Sequence, residues 1–254
     1  APAPQQRLVL ERGCAALHAA RHERGDLRGS MAGVFVGIAA SEFAQLLALT
    51  PAGASVYSAT GSTHSIACGR VSYVLGLHGP CAAYDTACSA ALVASHAAVR
   101  ALQRDECALG LAAGVNLTLA PATGASFALA GMTSPRGRSH TFDARADGYV
   151  RAEACGGVAL ARRGDANGGA TEALAAVQSA GCAVRQDGRS ASLTAPSGAA
   201  QRGLLRAALA DGALRASSLA ATEAHGTGMA LGDPIEAGAL GAAVLRERAT
   251  AACA

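Results

Sequence analysis

The chain has 254 residues, 51% of them hydrophobic, with 21 Lys+Arg against 18 Asp+Glu and a formal net charge of +3. That length buries a sizeable core, as one domain or as two halves, and that apolar share excludes a disordered chain. Every basic residue is Arg, which excludes a Schiff base or a Lys general base, and the Arg residues are scattered without interleaved aromatics (3%, no Trp), which speaks against a nucleic-acid surface. Residues 5–20 read as a helix, with Leu10, Cys14 and Leu17 at i, i+4, i+7 spacing. Residues 32–39 read as a buried strand, and 62–76 as a helix ending near Gly76 with Pro80 just beyond. Residues 81–85 form a short strand leading into a helix over 88–103. Residues 107–115 and 155–162 read as further buried strands. Residues 164–169 are a turn, followed by a strand over 173–183. An amphipathic helix over 198–211 turns Leu204, Leu205, Ala208 and Leu209 inward; a strand over 219–224 leads to His225, and a helix runs over 233–247.

Strands alternating with helices imply an α/β fold with largely continuous apolar strands. Residues 107–135 carry no formal charge, a length that suggests a membrane span, but Gly110, Gly114, Asn116, Pro121, Gly124 and Gly131 favour a strand, a turn and a short helix. At the N-terminus, Pro2, Pro4 and Arg7 stand where a signal peptide would have its apolar stretch. The eight cysteines show no metal-type spacing, and seven read as small buried hydrophobes in a reducing, intracellular compartment; cytoplasm and plastid are not distinguished.

The eighth, Cys88, stands at the predicted start of a helix in Asp85-Thr86-Ala87-Cys88-Ser89-Ala90. Unpaired N–H groups and the helix dipole lower a thiol's pKa at such a place and make it a nucleophile. Far along the chain, Glu223-Ala224-His225-Gly226-Thr227-Gly228 offers an imidazole beside glycines that permit a tight turn against a ligand. The plain alternatives are a buried helix cysteine and a strand-end histidine held by backbone.

These blocks also carry a resemblance. DTACSAALVASH and EAHGTGMALGDPIEAGAL resemble the two active-site signatures of β-ketoacyl synthases of the type I polyketide synthase style. In the same order, Pro4-Gln5-Gln6-Arg7-Leu8, the GVFVGI strand from Gly33, the TFDARADGYVR loop from Thr141, and Leu193-Thr194-Ala195-Pro196-Ser197-Gly198 resemble further family segments. The resemblance implies a thiolase-like fold of α/β/α/β/α layers. Residues 1–164 form an N-terminal half, nearly complete, with the nucleophile; residues 165–254 begin a truncated C-terminal half with the histidine. It implies an acyltransferase: Cys88 takes an acyl chain as a thioester, and malonyl-carrier is decarboxylated to an enolate that attacks it, in polyketide or fatty-acid synthesis.

By the same resemblance, His225 donates a hydrogen bond to the enolate oxygen, and the Cys88 N–H serves the thioester oxyanion. Thr227 contacts the phosphopantetheine arm of an acyl carrier protein. Met229 stands where the family usually has a second Thr, so arm binding is altered. Asp233 and Glu236 match carboxylates behind the site; the family's partner for the glutamate is a lysine, which this sequence lacks. Asp143 and Asp147 belong to a structural loop, and Phe127 and Met132 to packing. No metal or cofactor is bound by the domain itself; the substrates ride on phosphopantetheine. A homodimer forms through residues near 81–85. The family's opening strand, its lysine and second histidine, and a glycine-rich oxyanion loop are not found, so an incomplete domain is expected, one that exposes apolar surface and is poorly soluble. The alternatives are a non-catalytic module that dimerises or docks a carrier, and a thiol hydrolase built on Cys88 and His225.

Overall fold

A computed structural model describes residues 2–39, 42–162 and 181–245. The chain divides into two compact units, residues 1–123 with 152–176, and residues 124–151 with 177–254. The expected boundary at 164/165, the turn over 164–169 and most of the strand over 173–183 lie outside the described residues.

The first unit is built on a four-stranded sheet of order β2-β1-β3-β4, from β1 (Gly33–Ile38), β2 (Cys81–Tyr84), β3 (Leu109–Asn116) and β4 (Ala154–Ala161). β1 pairs parallel with β2 and β3, and β4 runs antiparallel to β3. Helix α1 (Pro4–Ala19) starts on a proline, whose missing N–H is no loss in a first turn. Then come α2 (Arg24–Leu27), α3 (Glu42–Ala48), a short 3-10 turn (Pro51–Ala54), α4 (Ser58–Ser62) and α5 (His64–Leu75). After β2 the chain enters a 3-10 turn (Ala87–Ser89) and α6 (Ala90–Gln103); α7 (Pro121–Leu129) follows β3. Gly76 ends α5 in the left-handed conformation at φ 70°, as its place in the sequence predicts.

The crossover from β1 to β2 moves toward one edge, and that from β2 to β3 moves back past β1. Parallel crossovers share a right hand, so α5 and α6 must cover opposite faces. They do. Val9, Leu17, Val34, Val36, Val71 and Leu111 are buried on the side of α1 and α5. Phe35, Ala94, Ala98 and Ala112 are buried on the side of α6. All six residues of β1 are buried, as a strand covered on both faces requires.

Within this layer, Gly37 of β1 lies opposite Gly114 of β3. A Cβ at Gly37 would stand 2.4 Å from the Ala90 carbonyl carbon and the Ala91 nitrogen, and one at Gly114 would stand 2.7 Å from the Ala91 Cβ. The glycine pair forms a notch in the sheet, and the first turn of α6 rests in it.

In the second unit, α8 (Gly198–Asp211) is capped by the Ser197 hydroxyl accepting from the Ala200 N–H at 3.3 Å. Helix α9 (Gly232–Leu240) continues as a π-helical stretch, Gly241–Leu245. Ala216, Ala243 and Val244 form a small core, against which Leu205 and Leu209 of α8 pack.

Several expectations need correction. β4 is not buried: it is an edge strand and Val158 is 52% exposed, because only its α1 side is well covered. Residues 219–224 form no strand; a strand needs a ladder partner, and none is present among the described residues. The long helix after residue 233 changes to π-helical winding at Gly241, and its last two residues lie outside the described ones. Phe127 and Met132 are half-buried rather than core, and Arg151 stacks 4.6 Å over the Phe127 ring. Helix α3 escaped the sequence reading. Among the described residues no helix is long and apolar enough to cross a membrane.

The notch yields a contrast to test. Gly37→Ala forces a methyl group into backbone and should destabilise the chain by about 1–3 kcal/mol or more. Gly69→Ala, inside α5 with nothing within 4 Å of the added carbon, should stabilise it by up to about 1 kcal/mol. Urea-unfolding midpoints of the two variants check the difference.

Candidate active site

Cys88 is placed by the turn between β2 and α6. Ala87, just before it, adopts φ 52°, in the left-handed region. For a residue with a Cβ such a conformation is strained by about 1–3 kcal/mol. Local hydrogen bonds hold it: the Ala87 N–H donates to Asp85 Oδ1 at 3.2 Å, and the Ser89 N–H to the Thr86 carbonyl at 3.2 Å. Ser89 Oγ lies 2.9 Å from both the Thr86 carbonyl and the Thr86 hydroxyl. The sequence reading began the helix at Cys88; instead Cys88 occupies the 3-10 turn, and the α-helix starts at Ala90. No side chain caps that helix, so the anion-attracting character of its first turn is kept for whatever lies before it. The Cys88 residue is exposed.

His225, Thr227, Met229, Asp233 and Glu236 come together in the second unit. Two carboxylates on the first turns of α9 gather the N–H groups of the preceding loop. Glu236 accepts from His225 N–H at 2.7 Å and from Gly226 N–H at 2.8 Å, one on each oxygen. Asp233, only 4% exposed, accepts from Gly228 N–H at 3.1 Å and Met229 N–H at 3.2 Å on one oxygen. Its other oxygen accepts from Phe142 N–H at 2.7 Å. The lysine that the resemblance pairs with Glu236 is not in this sequence; both its oxygens are met by backbone amides. Charge-assisted bonds of this kind are the stronger class.

The loop of residues 132–150 closes on the same turn. Thr141 Oγ donates to the Gly226 carbonyl at 2.5 Å, and the Gly148 N–H to the Gly228 carbonyl at 3.0 Å. At Gly228, φ is 80° and a Cβ would stand 2.8 Å from the His140 nitrogen, so the position is closed to other residues. His225 itself is exposed. Met229 lines an open cavity of about 330 Å³ with Phe142, Ala230, Asp233, Pro234 and Ala237.

Asp143 and Asp147 hold the loop rather than move protons. Asp143 binds Arg145 through both oxygens, at 2.9 and 2.7 Å, and this bonding holds its carboxyl far below the usual range. Asp147 accepts from Ser134 at 2.7 Å and from Arg136 at 2.8 Å, and its carboxyl is also lowered, by Ser134 first and then Arg136.

One buried carboxylate escaped the sequence reading. Glu42 is 1% exposed and accepts from the N–H groups of Leu119 and Ala120, both at 2.6 Å, just before α7. A lone acidic residue after the apolar GVFVGI strand was its only signal. Among the described residues no cluster of side chains has the makings of a metal site.

Known proteins share this arrangement of motifs. The family model "Beta-ketoacyl synthase, N-terminal domain" matches residues 2–166, and "Beta-ketoacyl synthase, C-terminal domain" matches 175–254. The chain is 46% identical over 239 residues to one phenolphthiocerol/phthiocerol polyketide synthase subunit of Mycobacterium tuberculosis, covering 94% of this chain and 15% of that protein. It is 46% identical over 245 residues to another polypeptide of the same synthase, covering 96% and 13%. The chain thus spans about a seventh of the length of these relatives. Among solved structures, the ketosynthase from module 6 of the bacillaene synthase of Bacillus subtilis matches with a TM-score of 0.83 at 33% identity, covering 96% of this chain and 42% of that one. An oxazolomycin ketosynthase domain from Streptomyces albus matches with a TM-score of 0.86 at 35% identity, covering 95% and 41%.

Two outcomes are expected from the loop. Asp233→Ala leaves three amides without an acceptor and should destabilise the chain by about 2–4 kcal/mol, on a scale of about 1–3 for each buried unmet group. Amide hydrogen exchange at Phe142, Gly228 and Met229 should quicken with it. The carboxyl titrations of Asp143 and Asp147, followed by NMR, should fall below the ordinary midpoint of about 3.9. Since both folded-state pKa values are depressed, their contribution to stability is complete above that midpoint and fades as pH falls through the lower folded value. Ser134→Ala should move Asp147 back up.

Proposed function

Since the chain belongs to the β-ketoacyl synthase family, we propose that it performs that family's condensation, with Cys88 as nucleophile and His225 as hydrogen-bond donor. The Cys88 thiolate attacks the carbonyl of an acyl thioester and releases the carrier's thiol. Malonyl-carrier then loses carbon dioxide, and the resulting enolate carbon attacks the Cys88 thioester. A carbon–carbon bond forms, the carbon–sulfur bond to Cys88 breaks, and the thiolate is restored. The chain on the carrier is longer by a two-carbon unit.

The observation that carries this reading is the seat of Cys88: exposed, on a strained turn, at the uncapped start of α6. A nucleophile whose backbone is held there is already placed for an incoming substrate. The Cys88 N–H is assigned to the thioester oxyanion. His225 is assigned to the enolate oxygen; with its own N–H and that of Gly226 held by Glu236, its backbone is fixed in advance. Preorganised donors of this kind need no rearrangement as charge develops.

Thr227 and Met229 are assigned to the phosphopantetheine arm of an acyl carrier protein, which brings acyl and malonyl thioesters. The cavity beside Met229 supports an apolar contact there. In the same reading a second copy of the chain pairs along β2, the edge strand that leads to Cys88.

Intact-mass spectrometry after incubation with an acyl-pantetheine thioester tests the nucleophile. The chain should gain one acyl group, and Cys88→Ala should gain none; acylation that survives this change rejects the assignment. His225→Ala should still be acylated but should lose condensation by about 10²–10³-fold, the scale for removing one oxyanion donor. Met229→Thr should lower KM for pantetheine thioesters by about fivefold with kcat unchanged, on the scale of one added hydrogen bond of about 1 kcal/mol.

A further inference from the structure

The turn that carries His225 holds a run of consecutive amides, from His225 to Met229. Glu236 accepts the N–H groups of His225 and Gly226, and Asp233 accepts those of Gly228 and Met229. The middle one, the Thr227 N–H, has no acceptor among the described residues. The chain is curled around two acids, and one donor is left over on a half-buried residue.

That donor is nevertheless aimed. The Thr227 N–H belongs to the same peptide unit as the Gly226 carbonyl. The unit is trans and planar, so the two groups point in opposite directions. Thr141 Oγ donates to the Gly226 carbonyl at 2.5 Å, which fixes the plane and turns the Thr227 N–H away from Thr141. Gly226 stands at φ 50°, and its backbone has little resistance of its own to turning otherwise. Thr141 touches the turn a second time: a Cβ on Gly226 would stand 2.6 Å from Thr141 Cγ2, so the methyl group occupies the room a side chain would need. Thr141 is itself placed by its neighbour. Phe142 has φ 54°, a strained left-handed conformation for a bulky residue. It is kept there by Asp233, which accepts the Phe142 N–H at 2.7 Å, and by the Asp143 N–H donating to the His140 carbonyl at 3.2 Å. Strain of this kind gathers where geometry serves a function.

Resting on the assignment of Thr227 to the carrier's arm, we propose that the Thr227 N–H donates to an amide carbonyl oxygen of that arm, and that Thr141 is the positioning residue for this bond. The acceptor's chemistry follows from the turn. The carboxylates of Asp233 and Glu236 lie behind the neighbouring amides and repel an anion, so the donor takes a neutral carbonyl oxygen, not a phosphate or a carboxylate. Thr141 acts through the Gly226–Thr227 peptide and does not touch the ligand. It sets the plane before the ligand arrives, which removes the ordering that a loose turn would lose on binding.

NMR of the full chain, titrated with the S-methyl thioether of pantetheine, tests this without any acylation. On binding, the Thr227 amide proton should move downfield, while those of His225, Gly226, Gly228 and Met229, already bonded, move less. Thr141→Val keeps the methyl group against Gly226 and loses the hydroxyl. It should raise Kd about fivefold, the scale of one hydrogen bond, and shrink the Thr227 shift. Thr141→Ser should restore both. A Thr141→Val chain that binds like the unchanged one, or a Thr141→Ser chain as weak as Thr141→Val, would overturn the proposal. If binding moves the Thr227 methyl signal but not its amide, the assignment to the arm stands and this proposal falls; if neither moves, both fall. A chain whose Thr227 amide responds while Cys88 is never acylated keeps this donor and loses its nucleophile.

Discussion

Everything about the Cys88 turn depends on how closely α6 approaches the sheet. Gly37 and Gly114 are register partners on neighbouring strands, and together they remove the two side chains that would hold the helix away. Interiors are close-packed, and a displacement of even one methyl group is felt. Here the displaced element would be the first turn of α6, whose position sets that of Cys88. The small residues Ala90, Ala91 and Ala94 continue the same close contact along the helix.

The turn carrying His225 is organised by opposite means. It has almost no apolar packing of its own, and acidic side chains collect its backbone amides. Asp233 alone joins Phe142, Gly228 and Met229, parts of the chain about ninety residues apart. The TFDARADGYVR segment and the HGTG segment are thus two sides of one hydrogen-bonded structure, and Gly148 and Gly228 meet there backbone to backbone. This accounts for a loop rich in Asp and Arg whose charges neutralise one another locally, as Asp143 with Arg145 and Asp147 with Arg136.

Much of the secondary structure was legible in the sequence, because its signals are local. Continuous apolar runs gave β1 and β3, Gly76 and Pro80 marked the end of α5, and the helix over 198–211 was read with its observed ends. Pairings between distant residues were not legible. Nothing in GVFVGI or LGLAAGVN states that Gly37 faces Gly114; only the register does. The lysine assigned to Glu236 comes from the family resemblance, whereas its partners here are two amides eleven and ten residues earlier, which no local signal marks. The partners of Glu42 are likewise backbone amides, those of Leu119 and Ala120, more than seventy residues along the chain.

Ala87 leaves the turn before Cys88 in an unusual economy of conformation. A glycine there would relieve the left-handed strain and steady the folded chain, but it would also loosen the backbone that aims the neighbouring thiol. Firmness of aim and global stability are thus set against each other at a single side chain one methyl in size. If Cys88 acts as proposed, selection for heat tolerance and selection for turnover would push this position in opposite directions.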